Sequence, residues 1–219
     1  MGPDFKLDSW DAVLKPENLS KLQKCGVSFL NAPTEIMATV LHYMGKDPNS
    51  TNPADYKEAG KLLATLRPHI AYFHSSQYIN DLANGDTCVA IGWSGDVMQA
   101  AARAEEAKNG VTVDYVIPKE GALVFYDMLA IPADAKHPEN AHAFINYLMR
   151  PEVIAKVSNY VSYASGNAAS LPMVDEALRN NPNIYPPAEL KAKMFALKIL
   201  PAKINREITR EWTKVKTGK

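Results

Sequence analysis

Apolar positions follow two alternating patterns along this chain of 219 residues. Segments with apolar residues three or four positions apart predict amphipathic helices, and the short continuous apolar runs between them predict buried strands. In the clearest helix the apolar stripe consists of Met37, Val40, Leu41 and Met44, and Gly45 is a typical helix end. Because helices and short strands alternate, the pattern indicates an α/β protein.

Pro, Gly and Asn mark the ends of most other elements. Helices are expected at 15–24, 52–66, 97–108, 139–149, 151–160, 172–178, 187–197 and 204–212, with one more between a Ser75–Ser76 cap and Gly85. Strands are expected at 27–30, 88–91, 111–117 and 122–131. Residues 164–170 are small and polar, which is typical of a loop.

Two of the expected strands bring an aromatic residue close to a carboxylate. Trp93 comes three residues before Asp96, directly after the strand at 88–91, and Phe125 comes two residues before Asp127 in the strand at 122–131. Strand ends are where α/β proteins usually bind their ligands. Because a ring face attracts a cation and a carboxylate pairs with one, these two pairs predict a site for a small organic amine.

Each of these residues also has a purely structural interpretation. Trp93 suits a core position beside a strand, and Asp96 suits the first turn of a helix, where the helix dipole favours an acid. Phe125 and Asp127 point to the same face of a regular strand, and a carboxylate inside such an apolar run needs a partner. Asp127 is therefore either a ligand-binding group or one half of a salt bridge with a Lys or Arg.

The sequence offers little that is typical of catalysis. The run Gly92–Asp96 invites comparison with a hydrolase nucleophile elbow, but Asp96 occupies the last position of the G-x-S-x-G pattern. The structural interpretation of Ser94 is a helix cap. The five histidines lack metal-ligand spacing, and there is no phosphate-binding Gly loop. A binding protein is therefore favoured over an enzyme, with a serine hydrolase as the remote alternative.

The composition excludes several classes of partner. Twenty-four basic and twenty-four acidic residues give a net charge of zero, and no basic stripe indicates nucleic-acid binding. No apolar run reaches the roughly 18 residues of a transmembrane helix, so the chain is not expected to insert into a membrane. Cys25 and Cys88 are too far apart for a local CxxC site and are either two reduced thiols or one disulfide of an exported protein.

Four segments of the chain resemble a known family. They are Lys15–Leu19, His42–Ser50, Tyr72–Asp86 and Val116–Gly121. Together they are similar to the periplasmic polyamine-binding proteins of ATP-binding-cassette (ABC) importers, and most of all to the putrescine-binding subtype. The resemblance extends over nearly the whole chain and implies a polyamine ligand, ABC permease subunits as partners, a periplasmic location and no cofactor.

The resemblance also implies an α/β fold of the type II periplasmic-binding-protein kind, with two lobes joined by crossing strands and the ligand in the cleft. It implies that residues 1–111 and 165–219 build the second lobe, and that residues 112–164 cross over and contribute to the first lobe. Members of the family carry a signal peptide and most of the first lobe before the point at which this chain begins. The chain is therefore expected to be the C-terminal portion of such a protein, with an incomplete first lobe.

The resemblance further implies a set of ligand contacts when it is carried over residue by residue. They fall on Trp93, Asp96, Phe125, Asp127, Tyr163, Ser75 and Glu35, with Thr34 as the neighbour of the last. It also implies that Cys25 and Cys88 form a disulfide. The implied function is binding of a putrescine-like polyamine for delivery to an ABC importer, and the alternative is a polyamine sensor or interaction module without a transport role.

Overall fold

The structure is a computed structural model that describes residues 6–218. Residues 1–5 and 219, which belong to the predicted second lobe, lie outside this range. The helices are α1 (Asp11–Leu14), α2 (Pro16–Leu22), α3 (Pro33–Tyr43), α4 (Pro53–Leu66), α5 (Tyr78–Asn84), α6 (Ser94–Ala107), α7 (Pro138–Leu148), α8 (Pro151–Val161), α9 (Glu176–Arg179), α10 (Ala188–Lys191) and α11 (Ala202–Thr217). The strands are β1 (Val27–Phe29), β2 (Tyr72–Phe73), β3 (Val89–Ala90), β4 (Leu123–Val124) and β5 (Phe195–Ala196). Short 3₁₀ turns lie at Gln23–Cys25, Arg67–His69 and Ala168–Met173.

The described residues form two compact units. The first is built from the described part of Met1–Val124 and Ala188–Lys219, and the second from Phe125–Pro187. The chain therefore leaves the first unit after β4 and returns to it at the start of α10. This division does not decide the predicted lobe boundaries at 111/112 and 164/165, which stay a prediction.

A parallel sheet lies in the first unit, with its strands in the order β2-β1-β3. Ser28 of β1 pairs with Tyr72 of β2 on one side and with Ala90 of β3 on the other. The α/β class and the strands expected at 27–30 and 88–91 are confirmed, although each is shorter than expected. Because the three strands run in the same direction, the loops that follow them leave the sheet at one edge.

Helices with strong local signals form the core of the first unit. The predicted stripe of α3 is fully buried at Met37, Val40 and Leu41. The helix expected at 52–66 is α4, and the Asn52 side chain caps its start by accepting a hydrogen bond from the Ala54 backbone N–H. Burial of a large apolar side chain contributes roughly 1.5–3 kcal/mol, so faces of this kind hold the helices on the sheet.

The turn before β4 fixes the point at which the chain leaves the first unit. The Glu120 carboxylate accepts hydrogen bonds from the Ser9 hydroxyl (2.5 Å) and the Trp10 backbone N–H (3.2 Å). The Trp10 indole N–H donates to the Gly121 carbonyl oxygen (2.8 Å). Gly121 has φ +95°, and a Cβ at this position would lie 2.1 Å from the Lys193 carbonyl oxygen, so the turn requires glycine.

Two of the expected strands are wrong in whole or in part. Residues 111–117 alternate as a strand should, but they form none because no neighbouring strand pairs with them. The strand expected at 122–131 is reduced to Leu123–Val124, since β5 pairs with only these two residues. Beyond Val124 the chain is irregular, and apolar side chains such as Met128 are exposed. The helix expected at 187–197 is also shorter and gives way to β5.

The second unit buries few large apolar side chains. Helix α7 has no buried residue, and α8 buries only Ala155 and Ser158. Large side chains such as Phe144 and Tyr160 face solvent, the latter with 88% of its surface exposed. The helices expected at 139–149 and 151–160 are nevertheless confirmed as α7 and α8. Each begins with a Pro in its first turn, which is a local signal for the start of a helix.

A disulfide joins Cys25 and Cys88, so the prediction of a disulfide is confirmed. The Cys88 backbone N–H also donates hydrogen bonds to the carbonyl oxygens of Cys25 and Gly26, both at 3.1 Å. Covalent and hydrogen-bonded links together therefore hold the amino ends of β1 and β3 side by side.

We expect replacement of both cysteines by Ser to lower the free energy of unfolding by roughly 2–4 kcal/mol. The two cysteines are 63 positions apart, so the bridge restricts a long loop of the unfolded chain. Urea unfolding followed by tryptophan fluorescence measures the difference between the oxidised protein and the double variant. Both proteins are measured without reductant, and equal free energies of unfolding would contradict the prediction.

Candidate functional site

The corner between β3 and α6 carries the first predicted pair of site residues. Trp93 has an extended backbone (φ −78°, ψ 141°) and occupies the N-cap position of α6, so Ser94 is the first helical residue. The interpretation of Ser94 as a helix cap is wrong, because the change from extended to helical backbone occurs one residue earlier. Asp96 lies in the first turn, where the helix dipole favours its negative charge. Trp93 and Asp96 are both partly buried.

Tyr78 of α5 connects the two residues of this corner. Its hydroxyl donates a hydrogen bond to Asp96 Oδ2 (2.8 Å) and accepts one from the Trp93 backbone N–H (3.0 Å). The Tyr78 side chain is fully buried. It is not among the residues predicted from the sequence, because a Tyr on the apolar face of a helix gives no sign of what its hydroxyl contacts.

Ser75 lies exposed in the loop between β2 and α5. The expected role of Ser75 as a helix cap with Ser76 is wrong, because α5 begins at Tyr78 and its N-cap residue is Gln77. The Gln77 side chain forms no capping hydrogen bond. The His74 ring contributes instead, since its Nδ1 accepts hydrogen bonds from the backbone N–H groups of Ser76 (3.1 Å) and Gln77 (2.9 Å). A His in this position is not a usual helix-start signal, so the sequence does not reveal it.

The predicted site residues of the first unit lie at one edge of its sheet. Glu35 follows β1, Ser75 follows β2, and Trp93 and Asp96 follow β3. Glu35 lies in the first turn of α3 and is partly buried. Because β2 and β3 lie on opposite sides of β1, the edge beside β1 is a topological switch point, where α/β proteins bind ligands. The fold thus brings residues from three separate segments to a favourable position.

In the second unit, the structure brings two further predicted residues together. The rings of Phe125 and Tyr163 form an edge-to-face pair, with centroids 5.9 Å apart and planes at 77°. Phe125 follows β4 and is 41% exposed, whereas Tyr163 follows α8 and is partly buried. Such a pair presents aromatic surface suited to an alkyl chain or a cation.

Asp127 lies in exposed, irregular chain. The expectation that it shares a strand face with Phe125 is wrong, because β4 ends at Val124 and the alternation of a strand does not continue beyond it. Within the second unit no basic side chain forms a salt bridge with Asp127. The interpretation of Asp127 as a structural ion-pair partner therefore gains no support from its own unit.

Two further features are absent from residues 6–218. No group of three or more His, Cys, Asp or Glu side chains in this range is arranged to hold a metal ion. Nor does any helix of the same range combine the length and the apolar character needed to cross a membrane.

The parallel sheet places the candidate ligand residues at its carboxyl edge, the arrangement typical of ligand-binding proteins of the α/β class. Residues 5–186 match the family described as bacterial extracellular solute-binding protein. Because this match covers most of the chain, the chain belongs to that family.

Solved structures support the same fold. The substrate-binding protein PotD of a spermidine/putrescine ABC transporter from Streptococcus pneumoniae is similar with a TM-score of 0.78, at 22% identity over 98% of this chain and 63% of that chain. The Tp0655 lipoprotein of Treponema pallidum reaches a TM-score of 0.80, also at 22% identity and over the same shares of the two chains. The prediction of a type II periplasmic-binding-protein fold is thus confirmed.

Relatives with higher identity carry more specific names. The putrescine-binding periplasmic protein PotF of Escherichia coli is 61% identical over all of this chain and 60% of its own length. The putrescine-binding periplasmic protein SpuD of Pseudomonas aeruginosa is 56% identical over all of this chain and 59% of its own length. The chain therefore spans about 60% of the length of these curated relatives.

Proposed function

We propose that this chain forms part of a periplasmic binding protein that captures a short polyamine such as putrescine for delivery to an ABC importer. The observation that carries the proposal is the Trp93–Asp96 corner, where an aromatic ring and a carboxylate lie at the carboxyl edge of a parallel sheet. The names of the relatives at 61% and 56% identity support the same ligand class and location.

The proposed site matches the chemistry of a diamine. Its two ammonium ends suit Asp96 and Asp127, because hydrogen bonds between an ammonium and a carboxylate are charge-assisted. Its methylene chain suits the rings of Trp93, Phe125 and Tyr163, which also attract the ammonium ends through their faces. Ser75 and Glu35 supply further oxygen atoms at the sheet edge of the first unit. This recognition uses no cofactor.

We further propose that the protein binds its ligand without turning it over. Its relatives are named as binding proteins, and the family is one of solute-binding proteins. Ser94, the candidate nucleophile of the remote hydrolase alternative, lies in the first turn of α6. A binding protein should keep its diamine affinity when Ser94 is replaced by Ala, whereas a serine hydrolase would lose turnover.

A chimera tests the proposed function. In it, these 219 residues replace the matching part of the E. coli relative, so that the protein regains the length of that relative. Calorimetry should show saturable binding of putrescine and no binding of 1,4-butanediol, which has a similar length but no charge. Failure to bind putrescine, or equal binding of the diol, would overturn the proposal.

On its own, the chain should bind putrescine only weakly. Phe125 is 41% exposed and Asp127 is exposed in the structure, so an ammonium group at these residues would stay partly hydrated. A hydrated ion pair contributes little, about 0–1 kcal/mol. The same calorimetry on the isolated chain measures the affinity, with the chimera as the reference. A submicromolar dissociation constant for the isolated chain would contradict this prediction.

A further inference from the structure

A single buried hydroxyl joins the two residues that the proposed site uses at the β3–α6 corner. We infer that Tyr78 is a positioning residue for the diamine site, because its hydroxyl holds the Asp96 carboxylate and the Trp93 backbone in the geometry that receives an ammonium group. This inference rests on the proposed function and deepens it, and the experiment below separates the failure of one from the failure of the other.

The two hydrogen bonds of the Tyr78 hydroxyl act on different parts of the corner. A phenol can donate one hydrogen bond and accept others. The donated bond runs to Asp96 Oδ2 over 2.8 Å and directs one carboxylate oxygen towards α5. The accepted bond comes from the Trp93 backbone N–H over 3.0 Å and fixes the residue at which extended backbone becomes helical. The Trp93 backbone and the Asp96 carboxylate are thus hydrogen-bonded to the same oxygen atom.

Gly92 makes this arrangement possible. A Cβ at position 92 would lie 2.5 Å from Cε2 and 2.9 Å from Cζ of Tyr78, which is closer than such atoms approach in proteins. Gly92 is not among the glycines with positive φ, so contact with the ring accounts for the small residue and backbone conformation does not. Because Tyr78 is fully buried, the ring has no room to withdraw, and its hydroxyl stays in place.

Fixing these groups in advance affects binding more than folding. A carboxylate held by fewer hydrogen bonds is less ordered before the ammonium arrives, and the ordering that remains to be done on binding weakens affinity. Tyr78→Phe removes the hydroxyl and keeps the buried ring. We expect it to raise the dissociation constant for putrescine by up to about tenfold, as for the ordering of one side chain on binding.

A matched variant elsewhere in the first unit provides the control. Tyr56 is also fully buried, and its hydroxyl donates to the Ser50 carbonyl oxygen at 2.8 Å. Tyr56→Phe therefore removes a buried hydroxyl and one hydrogen bond without touching the proposed site. In the chimera, both variants should lower the melting temperature, and only Tyr78→Phe should weaken putrescine binding measured by calorimetry.

A second measurement needs no ligand. Hydrogen exchange at the Trp93 backbone amide, followed by NMR, should become faster in Tyr78→Phe and stay unchanged in Tyr56→Phe. Gly92→Ala should also weaken binding, because the added Cβ clashes with the Tyr78 ring and the corner has to shift to accommodate both.

The outcomes divide clearly. Wild-type affinity in Tyr78→Phe, or an equal loss in Tyr56→Phe, would overturn the positioning role. A wild-type chimera that binds no putrescine would overturn the proposed function, and the role of Tyr78 in ligand binding would fall with it. In that case the exchange rate of the Trp93 amide still decides whether Tyr78 fixes the backbone of the corner.

Discussion

Replacing Asp96 by Asn in the chimera is expected to weaken putrescine binding by two to three orders of magnitude or more. Asn keeps the size of the side chain and an oxygen that can accept the hydrogen bond from Tyr78, so the change removes mainly the charge. An ammonium group that is buried without its anion costs roughly 3–5 kcal/mol, which corresponds to this loss of affinity. Calorimetry with putrescine measures the dissociation constant directly.

Asp55→Asn is the matched control for this prediction. Asp55 also lies in the first turn of a helix, α4, and its carboxylate accepts hydrogen bonds from the Lys46 ammonium (2.7 Å) and the Ser50 hydroxyl (2.5 Å). These contacts hold the pKa of Asp55 below its usual value, with the Lys46 hydrogen bond as the main cause. The control should therefore lose stability near neutral pH and keep its affinity.

An Asp96→Asn chimera whose dissociation constant stays within about threefold of wild type, a change of under 1 kcal/mol, would remove Asp96 from the site.

Elements with strong local signals could be predicted from the sequence. The Asn52-Pro53 start defines α4, the Pro residues at 138 and 151 define α7 and α8, and the short apolar runs define β1 and β3. The position of Trp93 and Asp96 at the edge of the sheet follows from the same reasoning, since the strand and the helix around them were both expected. These features depend on nearby residues, and the sequence contains them.

Features that depend on distant partners could not be predicted in this way. The strands expected at 111–117 and 122–131 have suitable alternation or composition, but a strand also needs a neighbouring strand to pair with. The His74 ring at the start of α5 and the two hydrogen bonds of Tyr78 arise only when separate segments pack together. The contact expected at Tyr163 came from family resemblance alone, because nothing local to Tyr163 indicates a ligand. Phe125 and Asp127 were also indicated by their spacing in the sequence, although the strand that was expected to carry them ends at Val124.

Asp127→Asn provides the second large expected effect, and it separates two interpretations of this residue. If Asp127 binds the second ammonium group, the variant chimera should lose affinity for putrescine by two to three orders of magnitude, for the same roughly 3–5 kcal/mol as at Asp96. Its melting temperature without ligand should stay unchanged, because Asp127 is exposed and forms no salt bridge within the second unit.

A structural role makes the opposite forecast. If the Asp127 carboxylate serves as an ion-pair partner, Asn at this position should lower the melting temperature of the ligand-free chimera and leave the dissociation constant nearly unchanged. Asp134→Asn is a suitable control, since Asp134 is an exposed acid in the same unit and should affect neither quantity. Both measurements on the same preparation decide between the two roles, because charge removal at a ligand contact acts on binding and charge removal at an internal pair acts on folding. An Asp127→Asn protein that melts early and binds putrescine normally would end the assignment of this residue to the site.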